Sequence, residues 1–310
     1  MLITRGFEPV RAAGRGCVVA IGKFDGLHLG HQAILARLAE SGAALGLPAA
    51  VLTFEPHPRE YLAPQAAPAR LMRLRDKAEA LQAAGVSMLH VLRFGAALAA
   101  WDGGTFIERV LDRAMRARKI VIGTGFRYGH GRGGDVALLR AQGARRGFAV
   151  DELPPLELDG GRVSSTRVRE ALAAGRLDQA KSLLGRAYRI SGRVIAGERL
   201  GRSLGFPTAN IRLHRRVSPV AGIFAVRVSG AGHGRLPGVA SIGTRPTVGG
   251  IEWLLEVHLF DFEADLYRRR LAVDLIAKLR DEVHYPSLAT MTAQMQRDAS
   301  EARELLGREG

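Results

Sequence analysis

The sequence predicts an α/β chain with two domains: a doubly wound parallel sheet, then a small antiparallel β-barrel that ends in a C-terminal helix. In the first part, short apolar runs alternate with stretches of helical spacing, which is typical of βαβ units. In the second part, short apolar runs follow one another closely between glycine-rich turns, which is typical of a barrel. The pattern changes between residues 176 and 187. We therefore expect domains at 1–184 and 185–310, which suits a chain of 310 residues.

The elements of each part follow from these runs. The strands predicted in the first part are residues 17–21, 49–54, 88–93 and 119–123. The helices predicted there are residues 32–41, 71–84, 105–117 and 136–147. The strands predicted in the second part are residues 188–195, 223–228, 238–242, 254–260 and 271–276, with a final helix at 287–306. Ligands of a doubly wound sheet bind at the carboxyl ends of its strands, so the loops there are the candidate sites.

Composition disfavours several classes of protein: nucleic-acid-binding, disulfide-bonded and membrane-spanning. The net charge is +15, but the excess is spread along the chain and aromatic residues make up only 6%, which disfavours nucleic acid as a partner. The chain has one cysteine, Cys17, inside an apolar run, so it has no internal disulfide and we expect the thiol to be buried. No apolar run approaches the roughly 20 residues of a membrane helix, and residues 1–16 lack the order of a signal peptide. A cytoplasmic protein is expected, as a monomer or a homo-oligomer.

The most informative segment is GKFDGLHLGH, residues 22–31, which joins the first predicted strand to the first predicted helix. Unpaired backbone N–H groups and the positive end of the helix dipole make such a turn suited to a phosphate. His28 and His31 can donate hydrogen bonds to charge that builds up on phosphate oxygens. Taken alone, HxGH is equally compatible with a glycine-rich turn that carries two surface histidines.

The wider segment closely resembles the signature of HxGH-type nucleotidyltransferases, in the form found in bacterial bifunctional riboflavin kinase/FAD synthetases. Three further segments resemble that family in its order: TFEPHP at 53–58, GTGFRYGHGRGG at 123–134 and VSSTRVR at 163–169. The resemblance implies a Rossmann-like sheet and transfer of an adenylyl group from ATP to FMN. It implies catalytic roles for His28, His31 and Arg169. It implies ATP or phosphate contacts at Gly22, Phe24, Asp25, Gly30, Ser164, Ser165 and Thr166, and flavin contacts at Phe54, Pro56, His57, Pro58 and Tyr128. One departure is Gly125, where the family usually has an acidic or amide residue.

The second part contains GRVIAGERLGRSLGFPTAN, residues 192–210, which is close to the riboflavin kinase signature of the same family. The match implies phosphate contacts at Gly197, Gly201, Arg202 and Gly205. Thr208 and Asn210 alternate on an extended segment, so their oxygens face one side and suit Mg²⁺. Glu256, within EVHLFDF at 256–262, is expected to be the general base. An LRDE segment at 279–282 resembles the family's element near the flavin, which implies flavin contacts at Arg280 and Glu282. In DLYR, at 265–268, Arg268 replaces the family's glycine.

The resemblance covers about residues 15–300 and implies a bifunctional enzyme. It would phosphorylate riboflavin to FMN with ATP, then adenylylate FMN to FAD with release of pyrophosphate. Mg²⁺ would accompany ATP, and riboflavin, FMN and FAD would be substrates or products rather than bound prosthetic groups. Two alternatives stay open: a riboflavin kinase whose adenylyltransferase half is weakened by Gly125, and a flavin- or nucleic-acid-binding regulator on the same folds.

Overall fold

The computed structural model of the protein describes residues 1–10, 13–197, 204–232, 234–247 and 250–308. The chain forms two compact units. The first contains Met1–Pro68 and Met72–Ser164, and the second contains Ala69–Leu71 and Ser165–Gly310. The short segment Ala69–Leu71 joins the second unit because the Tyr188 hydroxyl and Arg215 both donate to the Leu71 carbonyl.

The first unit is built on a six-stranded parallel sheet, which confirms the predicted doubly wound fold. Its strands are β1 (Leu2–Arg5), β2 (Cys17–Ile21), β3 (Ala49–Glu55), β4 (Met88–Arg93), β5 (Ala117–Gly123) and β6 (Ala149–Leu153). Their order in the sheet is β1-β4-β3-β2-β5-β6. From β2, the chain winds towards one edge of the sheet through β3 to β4. It then returns to the other side of β2, where it forms β5. The carboxyl ends of β2 and β5 therefore flank the point where the winding direction reverses, where ligands of such sheets bind.

Helices cover both faces of this sheet. They are α1 (Leu29–Leu45), α2 (Pro58–Leu62), α3 (Leu74–Ala83), α4 (Ala96–Ala100), α5 (Gly103–Phe106), a π-helical segment (Ile107–Ala114) that continues α5, and α6 (Val136–Arg146). Short 3-10 turns lie at Pro64–Ala66 and His130–Arg132, and β7 (Glu157–Leu158) pairs with β8 (Gly161–Arg162). Alternate residues of β2 enter two separate apolar clusters: Val19 and Ile21 pack in one, Val18 and Ala20 in the other. This alternation places an apolar core on each face.

Cys17 is buried in β2, as its apolar surroundings predict. Its Sγ donates to the Met115 carbonyl oxygen at 3.0 Å, and burial raises the pKa of the thiol to about 12. The thiolate form needed for reactivity is thus disfavoured at neutral pH.

The second unit is a closed six-stranded antiparallel barrel with helices before and after it, which confirms the second fold prediction. Two helices precede it, α7 (Ser165–Ala173) and α8 (Leu177–Leu184). The barrel strands are β9 (Tyr188–Ile195), β10 (Ala209–Arg212), β11 (Gly222–Ser229), β12 (Leu236–Thr247), β13 (Gly250–Leu259) and β14 (Arg270–Arg280), and α9 (Leu288–Gly307) ends the unit. Helix α9 packs against the barrel through Ala302 and Leu306, which join a cluster with Ala225 and Phe260.

Candidate active sites

The β2–α1 turn places both histidines of the first motif at the start of a helix. His28 is the N-cap of α1 and is 7% exposed, and its Nδ1 accepts a hydrogen bond from the His31 backbone N–H at 3.3 Å. The two imidazole rings stack with their centroids 3.7 Å apart. Burial, and then the nearby His28, Lys77 and Lys23, lower the pKa of His31 well below its usual value. His31 is therefore neutral at neutral pH, and its ring can present an N–H without placing a second buried charge near Lys77.

The backbone of this turn is held by residues from elsewhere in the unit. Phe24 and Leu27 are buried and have positive φ angles of 47° and 43°, a conformation that non-glycine residues adopt only where the surroundings enforce it. The Asp25 carboxylate accepts a hydrogen bond from the Met72 N–H at 3.0 Å. The buried Lys77 ammonium donates to the Lys23 carbonyl at 2.6 Å. Lys77, to which no sequence motif assigns a role, thus helps to fix the loop.

The other residues named for the motif lie in the same turn. The Phe24 ring lies 5.1 Å from the His31 ring, measured between centroids. Gly22 directly follows β2 and donates its N–H to the Leu52 carbonyl, and Gly30 lies in the first turn of α1. Their proposed contacts with ATP stay predictions.

The TFEPHP segment forms the end of β3 and the start of α2. The Phe54 ring packs edge-on against Phe94, with 6.2 Å between centroids. Pro56 precedes His57, which caps α2: its Nδ1 accepts from the Arg59 N–H, and its own N–H donates to the Glu60 carboxylate. Pro58 is the first residue of that helix. These contacts explain the local structure, and the flavin contacts assigned to the segment stay predictions.

The glycine-rich loop follows β5, on the other side of the winding reversal. Tyr128 is 7% exposed, lies between Phe106 and Phe126 with ring centroids 5.5 Å away on each side, and exchanges two backbone hydrogen bonds with Gly134. Burial, and then Asp135, raise the pKa of the Tyr128 phenol. Its hydroxyl has no hydrogen-bond partner among the described residues. This packing identifies Tyr128 as a core residue of the loop, and its flavin contact stays a prediction.

The VSSTRVR segment spans the end of the first unit and the start of the second. Ser164 immediately precedes α7, which begins at Ser165, so Thr166 lies in the first turn. The Arg169 Nε donates to the Ala69 carbonyl at 2.6 Å, a contact within the second unit. The phosphate contacts and the catalytic role assigned to this segment stay predictions.

In the second unit, cross-strand pairing places one residue from each barrel strand in a single row. Glu256 lies opposite both Asn210 and Ser241, Asn210 lies opposite Ile195, Ser241 opposite Ile223, and Ile223 opposite Arg280. Directly opposite residues of antiparallel strands share one face. The neighbours that alternate with them on four of the strands are fully buried on the opposite face: Ile211, Leu255, Ile242 and Phe224.

All six residues of this row line a cavity of about 810 Å³. Residues outside the barrel complete its wall, including Gly197, Thr208, Glu282, Tyr285 and, from α9, Met291 and Met295. A volume of this size is within the range of small-molecule sites. The structure thus brings together six residues that the sequence assigns to phosphate, metal, base or flavin: Gly197, Thr208, Asn210, Glu256, Arg280 and Glu282.

Two charged networks organise the cavity wall. Arg245 donates through Nη2 to Glu256 Oε2 at 2.7 Å, and its Nη1 lies 3.6 Å from Glu282 Oε1. The Ser241 hydroxyl donates to the same Glu282 oxygen at 2.8 Å. Partial burial would lower the pKa of Arg245, but Glu256 and Glu282 together raise it above its usual value. Arg280 is held separately, because its Nε and Nη2 both donate to the buried Asp298 of α9.

Ser241, Arg245 and Asp298 also contribute to this site, although the sequence assigns them no role there. Their strand positions are readable from the sequence, but their closeness to Glu256 or Arg280 follows from register and from packing of the final helix. Among the predicted phosphate ligands, Gly205 lies in the described range 204–232, whereas Gly201 and Arg202 lie outside the described residues.

The fold and these side chains are typical of an ATP-dependent transferase with two separate units. A family model described as FAD synthetase matches residues 10–167, and one described as riboflavin kinase matches residues 184–306. The bifunctional riboflavin kinase/FMN adenylyltransferase of Escherichia coli (strain K12) is 47% identical over 308 residues, which cover 99% of this chain and 98% of that relative. The chain belongs to this family of bifunctional riboflavin kinase/FMN adenylyltransferases.

Other relatives agree with this membership. The enzyme of the same name from Haemophilus influenzae (strain ATCC 51907 / DSM 11121 / KW20 / Rd) is 44% identical over 303 residues and covers 98% of each chain. That of Pseudomonas fluorescens is 46% identical over 306 residues, again with 98% of each chain covered. A crystal structure described as a macrolide-efflux protein from Streptococcus pneumoniae has a TM-score of 0.82 and 27% identity, covering 98% of this chain and 99% of that one. In the described part of this chain, no helix is long and apolar enough to cross a membrane.

Proposed function

We propose that this chain makes flavin cofactors in two ATP-dependent steps, each carried out by one unit. It phosphorylates riboflavin to FMN, then transfers the adenylyl group of a second ATP to FMN, which yields FAD and pyrophosphate. The observation that carries the first step is the row in which Glu256 lies beside Asn210 and Ser241 on the wall of the 810 Å³ cavity.

In the kinase step, the Glu256 carboxylate accepts the proton of riboflavin's terminal hydroxyl. The oxygen then forms a bond to the γ-phosphorus of ATP while the bond between that phosphorus and the ADP oxygen breaks. The cavity holds the two substrates so that the reacting atoms are in line, which converts a bimolecular encounter into a positioned one. Gly197 and Gly205 border the proposed phosphate path, and Glu282 and Arg280 border the flavin.

Thr208 and Asn210 fit a divalent metal that accompanies ATP. Both supply hard oxygens, and the Asn210 amide nitrogen donates to the Thr208 carbonyl at 3.5 Å, which leaves the amide oxygen as an acceptor. Gly197 lets this amide approach closely, because a Cβ at residue 197 would overlap the Asn210 side chain. In the parts of the chain that the structure describes, no cluster of three or more His, Cys, Asp and Glu could hold a metal ion. We infer that Thr208 and Asn210 would hold Mg²⁺ when it is bound, and that it would neutralise charge on the ATP phosphates.

In the adenylyltransferase step, the FMN phosphate attacks the α-phosphorus of ATP in line and pyrophosphate leaves. The α1 N-terminus and the imidazole N–H groups of His28 and His31 stabilise the negative charge that develops on the phosphate oxygens. The neutral state favoured for His31 is compatible with donation from one ring nitrogen. No lysine nucleophile or covalent intermediate is needed, because the enzyme positions the groups and stabilises charge.

The second candidate function is a riboflavin kinase whose adenylyltransferase unit is weak. It is favoured by Gly125, which offers no carboxylate or amide in the loop that follows β5. One experiment distinguishes the candidates: the pure chain is incubated with riboflavin, excess ATP and Mg²⁺, and the flavins are separated by chromatography over time. We expect FMN to form first and FAD to follow. Accumulation of FMN without FAD would favour the weak-unit alternative, and no conversion of riboflavin would contradict both.

A further inference from the structure

Within the part of the chain that the structure describes, one oxygen of the Glu256 carboxylate accepts a hydrogen bond. Among the described residues its hydrogen-bond partner is Arg245, which donates to Oε2 at 2.7 Å. The Oε1 atom is therefore the oxygen left to take a proton from a substrate. A carboxylate held by one oxygen keeps its other oxygen in a fixed direction, as a general base requires.

Arg245 is itself held from the opposite side. Glu282 lies 3.6 Å from Arg245 Nη1, and the Ser241 hydroxyl donates to Glu282 at 2.8 Å. Gly243 makes this arrangement available, because a Cβ on residue 243 would overlap the Glu282 carboxylate. The guanidinium fork thus bridges two carboxylates from different elements, β13 and the segment after β14. A lysine ammonium is a single point charge and matches only one such partner at a time.

Stability does not account for this bridge. The side chains of Arg245, Glu256 and Glu282 are 45%, 27% and 35% exposed. Ion pairs with this exposure contribute little to folding, because water screens the attraction and ordering the side chains costs entropy. The arrangement instead lies on the wall of the cavity that contains the proposed base.

We propose that Arg245 is the positioning residue of the kinase step: it orients the Glu256 carboxylate towards the riboflavin hydroxyl and is itself fixed by Glu282 and Ser241. The inference rests on the proposed riboflavin kinase activity. It assigns Arg245 no contact with substrate and no proton transfer of its own. Its whole effect on rate passes through Glu256.

The test uses the full chain and measures steady-state FMN formation from riboflavin and MgATP. Arg245→Gln should lower kcat by about tenfold or more and leave the KM for riboflavin within about twofold, because orientation of the base changes and binding does not. Arg245→Lys should recover part of the loss. Arg303→Gln is the matched control: Arg303 pairs with Asp261 at 2.7 Å, is 50% exposed and lies outside the lining of the cavity. Its kcat should equal that of the wild type.

A double-mutant comparison separates positioning from direct catalysis. If Arg245 acts through Glu256, then adding Arg245→Gln to a Glu256→Gln variant should change kcat by less than about twofold. The same loss in both backgrounds, a loss confined to KM, or wild-type kcat in Arg245→Gln would each overturn the inference. A wild-type chain that makes no FMN would instead contradict the proposed kinase function itself, so the two failures are distinguishable.

Discussion

Two ionisable residues carry most of the proposed chemistry, and their surroundings differ. Glu256 lies on the wall of an open cavity with one carboxylate oxygen bound to Arg245. His31 lies beneath a stacked imidazole, close to Lys77 and Lys23, in surroundings that favour its neutral form. The same chain therefore presents a proton acceptor in one unit and N–H donors in the other, and single substitutions can test each separately.

For the kinase step, Glu256→Gln keeps the shape of the side chain and removes the base. FMN formation should fall by about 10²-fold or more, which is typical for loss of a general base. The measurement is the initial rate of FMN formation at saturating riboflavin and ATP. Addition of FMN directly to this variant should still yield FAD, which shows that the first unit is intact. An unchanged rate of FMN formation would contradict the role of Glu256.

For the adenylyltransferase step, His28→Ala combined with His31→Ala removes both imidazoles from the start of α1. FAD formation should be abolished because no N–H donors remain to meet the charge on the phosphates. FMN formation should stay at the wild-type rate and is the internal control for folding. The Glu256→Gln variant has the reverse pattern, so each protein controls for the other. FAD formation that survives the double substitution would remove the histidines from the mechanism.

The lowered pKa of His31 predicts a pH dependence of stability. An unfolded histidine binds a proton near pH 6.5, and folded His31 does so only at a lower pH. The unfolded state therefore binds more protons below about pH 6.5, and the free energy of unfolding falls there by at most about 1.4 kcal/mol per pH unit. Denaturant unfolding at pH 7.5 and 5.5 should show a larger loss for the wild type than for His31→Gln. An equal loss in both proteins would contradict a neutral His31.

At the level of elements, the sequence predicts the bounds of several strands correctly. The predicted bounds 17–21, 88–93 and 188–195 are those of β2, β4 and β9. Strands β2 and β4 are buried along nearly their whole length, as expected for a parallel sheet covered on both faces. Strand β9 instead has exposed residues between its buried ones. The sequence does not predict strand β6, because this strand lies at the sheet edge and carries charge: its Asp151 pairs with Arg37 and Lys119, at 2.7 and 3.0 Å. For the four-residue strand β10 the sequence predicts only an extended part of a motif, because its pairing partners β9 and β13 are fixed by tertiary structure.

The residues of the candidate sites also fall into two groups, those that the sequence predicts and those that it does not. Motifs that are contiguous in sequence, such as the two histidines or Thr208 and Asn210, could be predicted because their spacing already implies a shared location. The partners of Glu256 and Arg280 could not, because Arg245 and Asp298 approach them through strand pairing and through docking of α9. Helix α8 occupies most of the region between 176 and 187, where the change of pattern predicts a boundary.

The loop after β5 offers a test of the one departure from the family pattern. Gly125 has a φ of +77°, and no atom lies within 4 Å of a Cβ placed there. Asn and Asp tolerate this left-handed conformation better than other side chains. Gly125→Asn or Gly125→Asp should therefore preserve or raise the rate of FAD formation, measured with FMN and ATP. Gly125→Ala is the control for backbone strain and should raise nothing. A loss of FAD formation in the Asn variant alone would show that the loop differs from the family geometry.

At the level of the whole molecule, the two sets of motifs predict separable activities. A fragment that starts at residue 185 should phosphorylate riboflavin and form no FAD, since its cavity residues all lie within it. A fragment that starts at Ser165 should do the same and be more stable, because it keeps α8, whose Leu183 and Leu184 are buried. Denaturant unfolding and flavin chromatography check both statements. If the shorter fragment folds but makes no FMN at any riboflavin concentration, the kinase needs more of the chain than we assign to it.

The row of cavity residues has a consequence for how the second unit gains its activity during refolding. Side chains alternate between faces along a strand, so a pairing error of one residue on any barrel strand would turn its member of the row inward. Glu256 and Asn210 cannot meet in a barrel that is closed out of register. The rate of FMN formation should therefore be proportional to the number of molecules whose barrel is correctly paired. During refolding, this rate should rise from zero only when the last strand pairs, and partly assembled barrels should form no FMN.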